Sequence, residues 1–247
     1  MSNIMSPKKR AELRRTILYG AAVLFLQEGY SNVPLTRISE HSGVQVSKIN
    51  REFGCKENIL LALVDHVLHE RFSISRRLMP ENMDDPVLRY ALDTALRVHL
   101  AESCDALRDI YVLAYTLPEP SRRIRSELIE RLIRPAFSEH FPHATETDYA
   151  MMALASTGIL LNFMKLEDSE QFTPREKQRS YLKACLRMYR VSEKKIKEAI
   201  AFVEQYDMDR IARDGLTHFI DSILDEDFFY IDEKTCEAPI SKKTFSL

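Results

Sequence analysis

Residues 33 to 60, VPLTRISEHSGVQVSKINREFGCKENIL, have little choice of fold: two short helices meeting at a tight Ser42-Gly43-Val44 turn, with a third amphipathic helix behind them. Pro34 suits a first helical turn, where its fixed φ and missing N–H cost nothing. Leu35 and Ile38 recur at i, i+3 as an inner stripe, and Gly43 stops the helix by accepting a left-handed backbone. Val46, Ile49 and Phe53 recur at i, i+3, i+7 and pack the second helix inward, which turns Gln45, Ser47, Lys48, Asn50 and Arg51 outward. A helix-turn-helix of this kind presents its second helix to the DNA major groove. Lys48 and Arg51 suit guanine edges or phosphates, Gln45 and Asn50 suit adenine edges, and Ser47 serves either way. A plain solvated helix shows the same outward polarity, so chemistry alone leaves both readings open.

The stretch from about Arg14 to Leu63 combines a long first helix, QEGY, RISEHSGV, a helix ending in Phe53, and CKENILLALV. It resembles the DNA-binding domain of the TetR family of bacterial repressors, closely over roughly a fifth of the chain. The resemblance implies an all-α protein, with an N-terminal three-helix helix-turn-helix domain and a larger C-terminal helical domain for ligand binding and dimerisation. The expected DNA-binding set is Lys8, Lys9, Arg10, Thr36, Arg37, Gln45, Val46, Ser47, Lys48, Asn50, Arg51 and Lys56. The chain departs from the family where tyrosines commonly precede the closing Phe: it has Asn50 and Glu52. Asn50 then makes a weaker phosphate contact or reads a base. Glu52 either points away from the duplex, accepts from a cytosine amino group, or pairs with a basic neighbour, since a carboxylate repels phosphates.

Charge divides along the chain. The net charge is −2, yet residues 1 to 60 hold nine Lys or Arg against five acids, a net of +4, so the remainder carries −6. A basic N-terminal module on an acidic body suits a DNA-binding unit fused to one that avoids DNA, although surface charge also fluctuates by a few units. Lys8-Lys9-Arg10 stand just before the first helix, where an arm could follow phosphates. Cys55, Cys104, Cys185 and Cys236 form no CxxC pair, which argues against zinc or a disulfide framework. No apolar stretch approaches a membrane span and no hydrophobic region follows the basic start, so a cytoplasmic location is expected.

Six glycines, ten prolines and few alternating β-branched runs leave helix formers dominant. Helices are expected at about 6 to 27 and 56 to 76, then at 86 to 102, 104 to 117, 120 to 140, 146 to 167, 174 to 190, 193 to 206 and 208 to 225. The expected division is residues 1–55 for DNA binding, 56–78 as a linking helix, 79–227 for ligand binding and dimerisation, and 228–247 as a polar tail that packs weakly or not at all. The loop Pro80 to Pro86 marks the boundary. Helices at 174 to 206 look like additional material.

Residues 149 to 164, YAMMALASTGILLNFM, are apolar nearly all round and need cover on two sides. The resemblance implies that 146–167 pairs with 208–225, through Leu216, Phe219, Ile220, Ile223 and Leu224, in a four-helix homodimer interface that Ala155 and Gly158 let close. A central helix in one monomeric core is the alternative. A cavity for an unidentified small-molecule effector is expected from Tyr90, His99, Tyr111, Tyr115, Met152, Asn162 and Phe163, because polar atoms in apolar stripes find a partner or a ligand. Each is also a candidate for satisfied core.

Enzymatic chemistry lacks a residue set. Asp65-His66-Val67-Leu68-His69-Glu70 does not have the HExxH order, Asp84-Asp85 and Asp225-Glu226-Asp227 are poorly placed for a cation, and no phosphate loop or nucleophile elbow occurs. No cofactor and no metal are expected. The sequence therefore points to a DNA-binding regulator, a homodimeric repressor released from a palindromic double-stranded operator by a small hydrophobic ligand. The alternative is a helical protein-interaction module on the same scaffold, with DNA contact secondary or lost.

Overall fold

The computed structural model describes residues 6–81, 83–166, 169 and 172–225. The expected tail 228–247 lies outside them, as do Cys236 and the Glu226-Asp227 acids. Among the described residues all regular structure is helical: α1 (Pro7–Glu28), α2 (Leu35–Ser42), α3 (Val46–Phe53), α4 (Lys56–Leu78), α5 (Pro86–Ala101), α6 (Asp105–Thr116), α7 (Pro118–Leu128), α8 (Arg134–Phe137), α9 (Glu146–Met164), α10 (Pro174–Met188), α11 (Glu193–Val203) and α12 (Met208–Ser222). A π-turn at Ile129–Ile133 joins α7 to α8, so the helix expected at 120 to 140 is broken within.

Local chemistry sets the ends. Ser6, Asp85, Thr145, Thr173, Ser192 and Asp207 accept from free backbone N–H groups at helix starts, and Thr145 with Asp148 forms a capping box. Gly43 closes α2 at φ 69°, a left-handed conformation that only glycine takes cheaply.

Two cores result. The smaller joins Ile17, Leu18, Leu24, Phe25, Ile38, Ile49, Phe53 and Ile59 of α1 to α4, and Ile223, just beyond α12, reaches into it. The larger is built around α5, buried continuously from Tyr90 to Ala101. That burial explains the additional helices: α10 and α11 pack on α5 beside α12 and α4 and complete its cover. Leu60, one residue after Ile59, belongs to the larger core, so α4 is shared by both.

Candidate nucleic-acid interface and effector cavity

The short α2–α3 unit sits against α1, where Gly20 permits the approach: a Cβ there would lie 3.2 Å from His41 Cδ2 and 3.5 Å from Ser42 Cβ. With Ile49 and Phe53 buried, Gln45, Ser47, Lys48, Asn50 and Arg51 are all exposed along one side of α3. Thr36 is exposed in the first turn of α2. These six form one polar, cationic face with no acidic member.

Glu52 is held out of that face. Its carboxylate, 5% exposed, takes a 2.7 Å bond from Arg10 Nε, and its backbone carbonyl accepts from Arg14 at 2.8 Å. Arg14 also lies over the Phe53 ring at 4.2 Å. Of the three options for Glu52, pairing with a basic neighbour is the one realised, and the partner comes from the expected arm.

Besides Arg10, two expected DNA residues are engaged within the chain. Arg37 bonds Glu28 through Nε and NH2, the latter at 2.7 Å, and ties α2 to the end of α1. Lys56 donates to the Tyr30 carbonyl at 2.9 Å with its ammonium 4.1 Å from the ring centroid, and burial lowers its pKa. Val46 is half-buried. Lys8 and Lys9 are exposed at the start of α1.

A cavity of about 100 Å³ opens where the two cores meet. Its walls come from α1 (Ala22, Phe25, Leu26), α4 (Leu60 to Arg71), α6 (Leu107 to Tyr115) and the end of α12 (Leu216 to Ile223). Of the seven residues expected in a ligand cavity, Tyr111 and Tyr115 line it. The others lie outside it. Tyr90 packs edge-on against Phe137 and Tyr189. His99 is held between Asp209 and Gln178, both at 2.7 Å. Asn162 is exposed on α9 and donates to the Gly158 carbonyl, while half-buried Met152 borders a shallow depression beside Phe141 and Arg190. Phe163 packs on the outside of the larger core.

The sequence reading missed His66 and Arg71. Both lie on α4 and line the cavity. His66 Nε2 meets the Phe219 carbonyl at 2.8 Å and Ser222 Oγ at 2.9 Å, and burial pushes its pKa down to about 4, so it is neutral near pH 7. Arg71 Nε donates to Asp93 at 2.9 Å, a pair almost wholly buried. Next along α5, Arg97 donates to Tyr115 Oη at 3.3 Å and to Thr94 Oγ1 at 3.2 Å. For Asp93 and Arg97 alone the sequence held a signal, since they stand i, i+4 in the apolar run LDTALRVHLA. The Asp65 to Glu70 run is divided, Asp65 pairing with Arg123 and Glu70 with His218 while His66 turns inward.

Of the five residues of 208–225 expected at a dimer interface, Leu224 is exposed. Phe219 and Ile223 are buried inside the subunit, Leu216 and Ile220 line the cavity, and the outward side of α12 carries Arg210, Arg213, Asp214, Thr217 and Asp221. Within the subunit α12 packs on α5, α4 and α1. Met151 is 61% and Leu154 46% exposed, in line with Ala155, Gly158 and Asn162, and the chief neighbours of α9 are α10, α6 and the π-turn. No described helix is long and apolar enough to cross a membrane.

Residues 17–63 match the family model for bacterial regulatory proteins of the tetR family. Over 131 residues the chain is 33% identical to the HTH-type transcriptional regulator HbdR of Aromatoleum sp. (strain CIB), a match that covers 52% of this chain and 55% of that protein. The chain thus spans about half the length of that curated relative. The crystal structure of RolR in complex with resorcinol superposes with a TM-score of 0.57 at 18% identity, over 79% of this chain and 96% of RolR, which establishes a shared fold.

Proposed function

We propose that this chain, whose N-terminal domain is that of the TetR family of bacterial regulatory proteins, is a homodimeric repressor that a small molecule releases from a palindromic operator. The observation that carries DNA reading is the α3 face: Gln45, Ser47, Lys48, Asn50 and Arg51 exposed together, with the one acid of the helix withdrawn onto Arg10. In this reading residues 1–55 form the DNA-binding unit, α4 links it to the remainder, and Lys8 and Lys9 follow phosphates. Arg37 and Lys56 hold the unit together, and Thr36 and the α3 face touch the duplex.

A two-fold dimer sets two α3 helices about 34–36 Å apart, in successive major grooves. The exposed apolar stripe of α9, with Ala155 and Gly158 permitting close approach, supports that helix as the dimer contact. Release follows from where the cavity lies. It separates α1 and α4, which carry the reading head, from α6 and α12, so an occupant larger than the resting space drives those pairs apart and alters the α3 spacing. Moving a population from 1:99 to 99:1 needs about 5.5 kcal/mol of differential binding, within reach of a filled pocket in each subunit.

Lys48→Ala and Arg51→Ala test this. Each is expected to weaken specific operator binding by about 1–3 kcal/mol while leaving the oligomeric state as it was. Wild-type affinity in both variants would overturn the assignment of α3.

A further inference from the structure

The cavity where the two cores meet offers almost nothing polar to an occupant. Its wall is built from side chains such as Phe25, Leu60, Val64, Ile110, Phe219 and Ile220. Four lining residues carry polar groups, and these are engaged or buried. His66 Nε2 is held by the Phe219 carbonyl and Ser222 Oγ, and burial keeps the ring neutral near pH 7. Tyr115 Oη accepts from Arg97, and Arg71 Nε donates to Asp93. Arg71 NH2 and the Tyr111 hydroxyl lie buried behind the wall and do not reach the space.

Size and chemistry then limit what fills it. At about 100 Å³ the space would take more than one water, but a buried water needs about two to four polar partners, which this wall does not supply. Apolar cavities of this kind stay dry, and one of ~150 Å³ lined by Leu, Ile and Phe takes up benzene or xenon. A void among close-packed side chains costs stability, and an apolar occupant restores the missing contacts. A hydroxyl or carboxylate brought in would lose its water and find no partner.

We propose that this cavity binds a compact uncharged hydrocarbon of about one ring, aromatic or alicyclic, and discriminates against its hydroxylated and ionised relatives. The inference names the effector class and so rests on the regulatory reading above. The resting space is smaller than the ~150 Å³ that holds benzene, so a ring bearing a methyl group enters only if α1 and α4 yield from α6 and α12. That is the movement the regulatory reading requires. Selection comes from shape and desolvation, with no side chain donating to or accepting from the ligand.

Calorimetric titration of the full chain in sealed cells with toluene and methylcyclohexane, each against its hydroxyl isostere phenol or cyclohexanol, tests the assignment. At least one hydrocarbon is expected to bind at least about tenfold more tightly than its isostere, whereas a polar anchor in the wall would reverse the order. Ala114→Leu puts an isobutyl group at the α6 wall and should weaken that hydrocarbon at least about tenfold. Ala22→Leu, from α1, should do the same and decides if Ala114→Leu does not fold; the isostere order decides if neither does. No hydrocarbon bound at saturation in water, no hydrocarbon preferred over its isostere, or affinity unchanged in the variants that fold would overturn the proposal. Specific DNA binding measured with and without the hydrocarbon separates the two readings. Specific DNA binding with no hydrocarbon bound sinks the hydrocarbon site alone, and hydrocarbon bound without specific DNA binding sinks the regulatory reading alone. Hydrocarbon bound with specific DNA binding undiminished overturns its role as effector.

Discussion

In the proposed DNA-binding reading, Glu52 governs how the α3 face meets phosphate. Its carboxylate neutralises Arg10, so one arm cation is withheld from the duplex while a negative charge stays masked beside α3. Glu52→Gln keeps an acceptor for Arg10 and removes the charge, so DNA affinity is expected to rise at low salt. The slope of log affinity against log salt should steepen by up to about one, since one more phosphate contact releases counterions. An unchanged slope in an anisotropy titration would show that Arg10 plays no part at the duplex. The oddity of Glu52 was legible in the sequence, because a carboxylate on a DNA face demands a partner. Arg71 was not. A lone arginine on an amphipathic helix reads as solvated, and only the arrangement of α4 against α5 takes it out of water. Tyr111 and Tyr115 were legible as polar groups in apolar stripes, but so were Tyr90 and His99, and nothing local distinguishes a tyrosine facing a cavity from one facing another ring.

At the scale of elements, α4 and α12 are joined through His66. The imidazole is neutral in the fold, with its pKa lowered by burial to about 4, against an ordinary value near 6.5 when unfolded. The unfolded chain therefore takes up the proton first as pH falls. This contribution to stability is complete above about pH 6.5 and is lost progressively down to about pH 4, by about 3 kcal/mol in total. Urea unfolding at pH 7.5 and 4.5 should show wild type losing about that much more than His66→Asn, which can still donate to the Phe219 carbonyl but does not titrate. Equal losses would place the acid sensitivity elsewhere. Helix positions were legible to within a few residues from periodicity and punctuation, α5 and α9 included. What covers each helix was not. α12 carries the spacing of an interface helix, and within the subunit it packs on α5, α4 and α1.

For the whole molecule the account requires two copies and one operator. Leu154 stands exposed at the centre of the α9 stripe, and Leu154→Glu would place a charge where the partner's apolar surface is proposed to lie. Sedimentation should then report a monomer. Operator affinity should fall about 100-fold or more, because the second half-site contact ceases to be intramolecular. A dimer that persists would move the interface off α9. The regulatory claim as a whole is tested most directly by fluorescence anisotropy of the full chain on the duplex immediately upstream of its own gene, against a scrambled duplex, at two salt concentrations. The account predicts preference for the upstream duplex at both, with affinity falling steeply as salt rises. Equal, weak binding to both duplexes would contradict it and leave the α3 face as a surface for a protein partner.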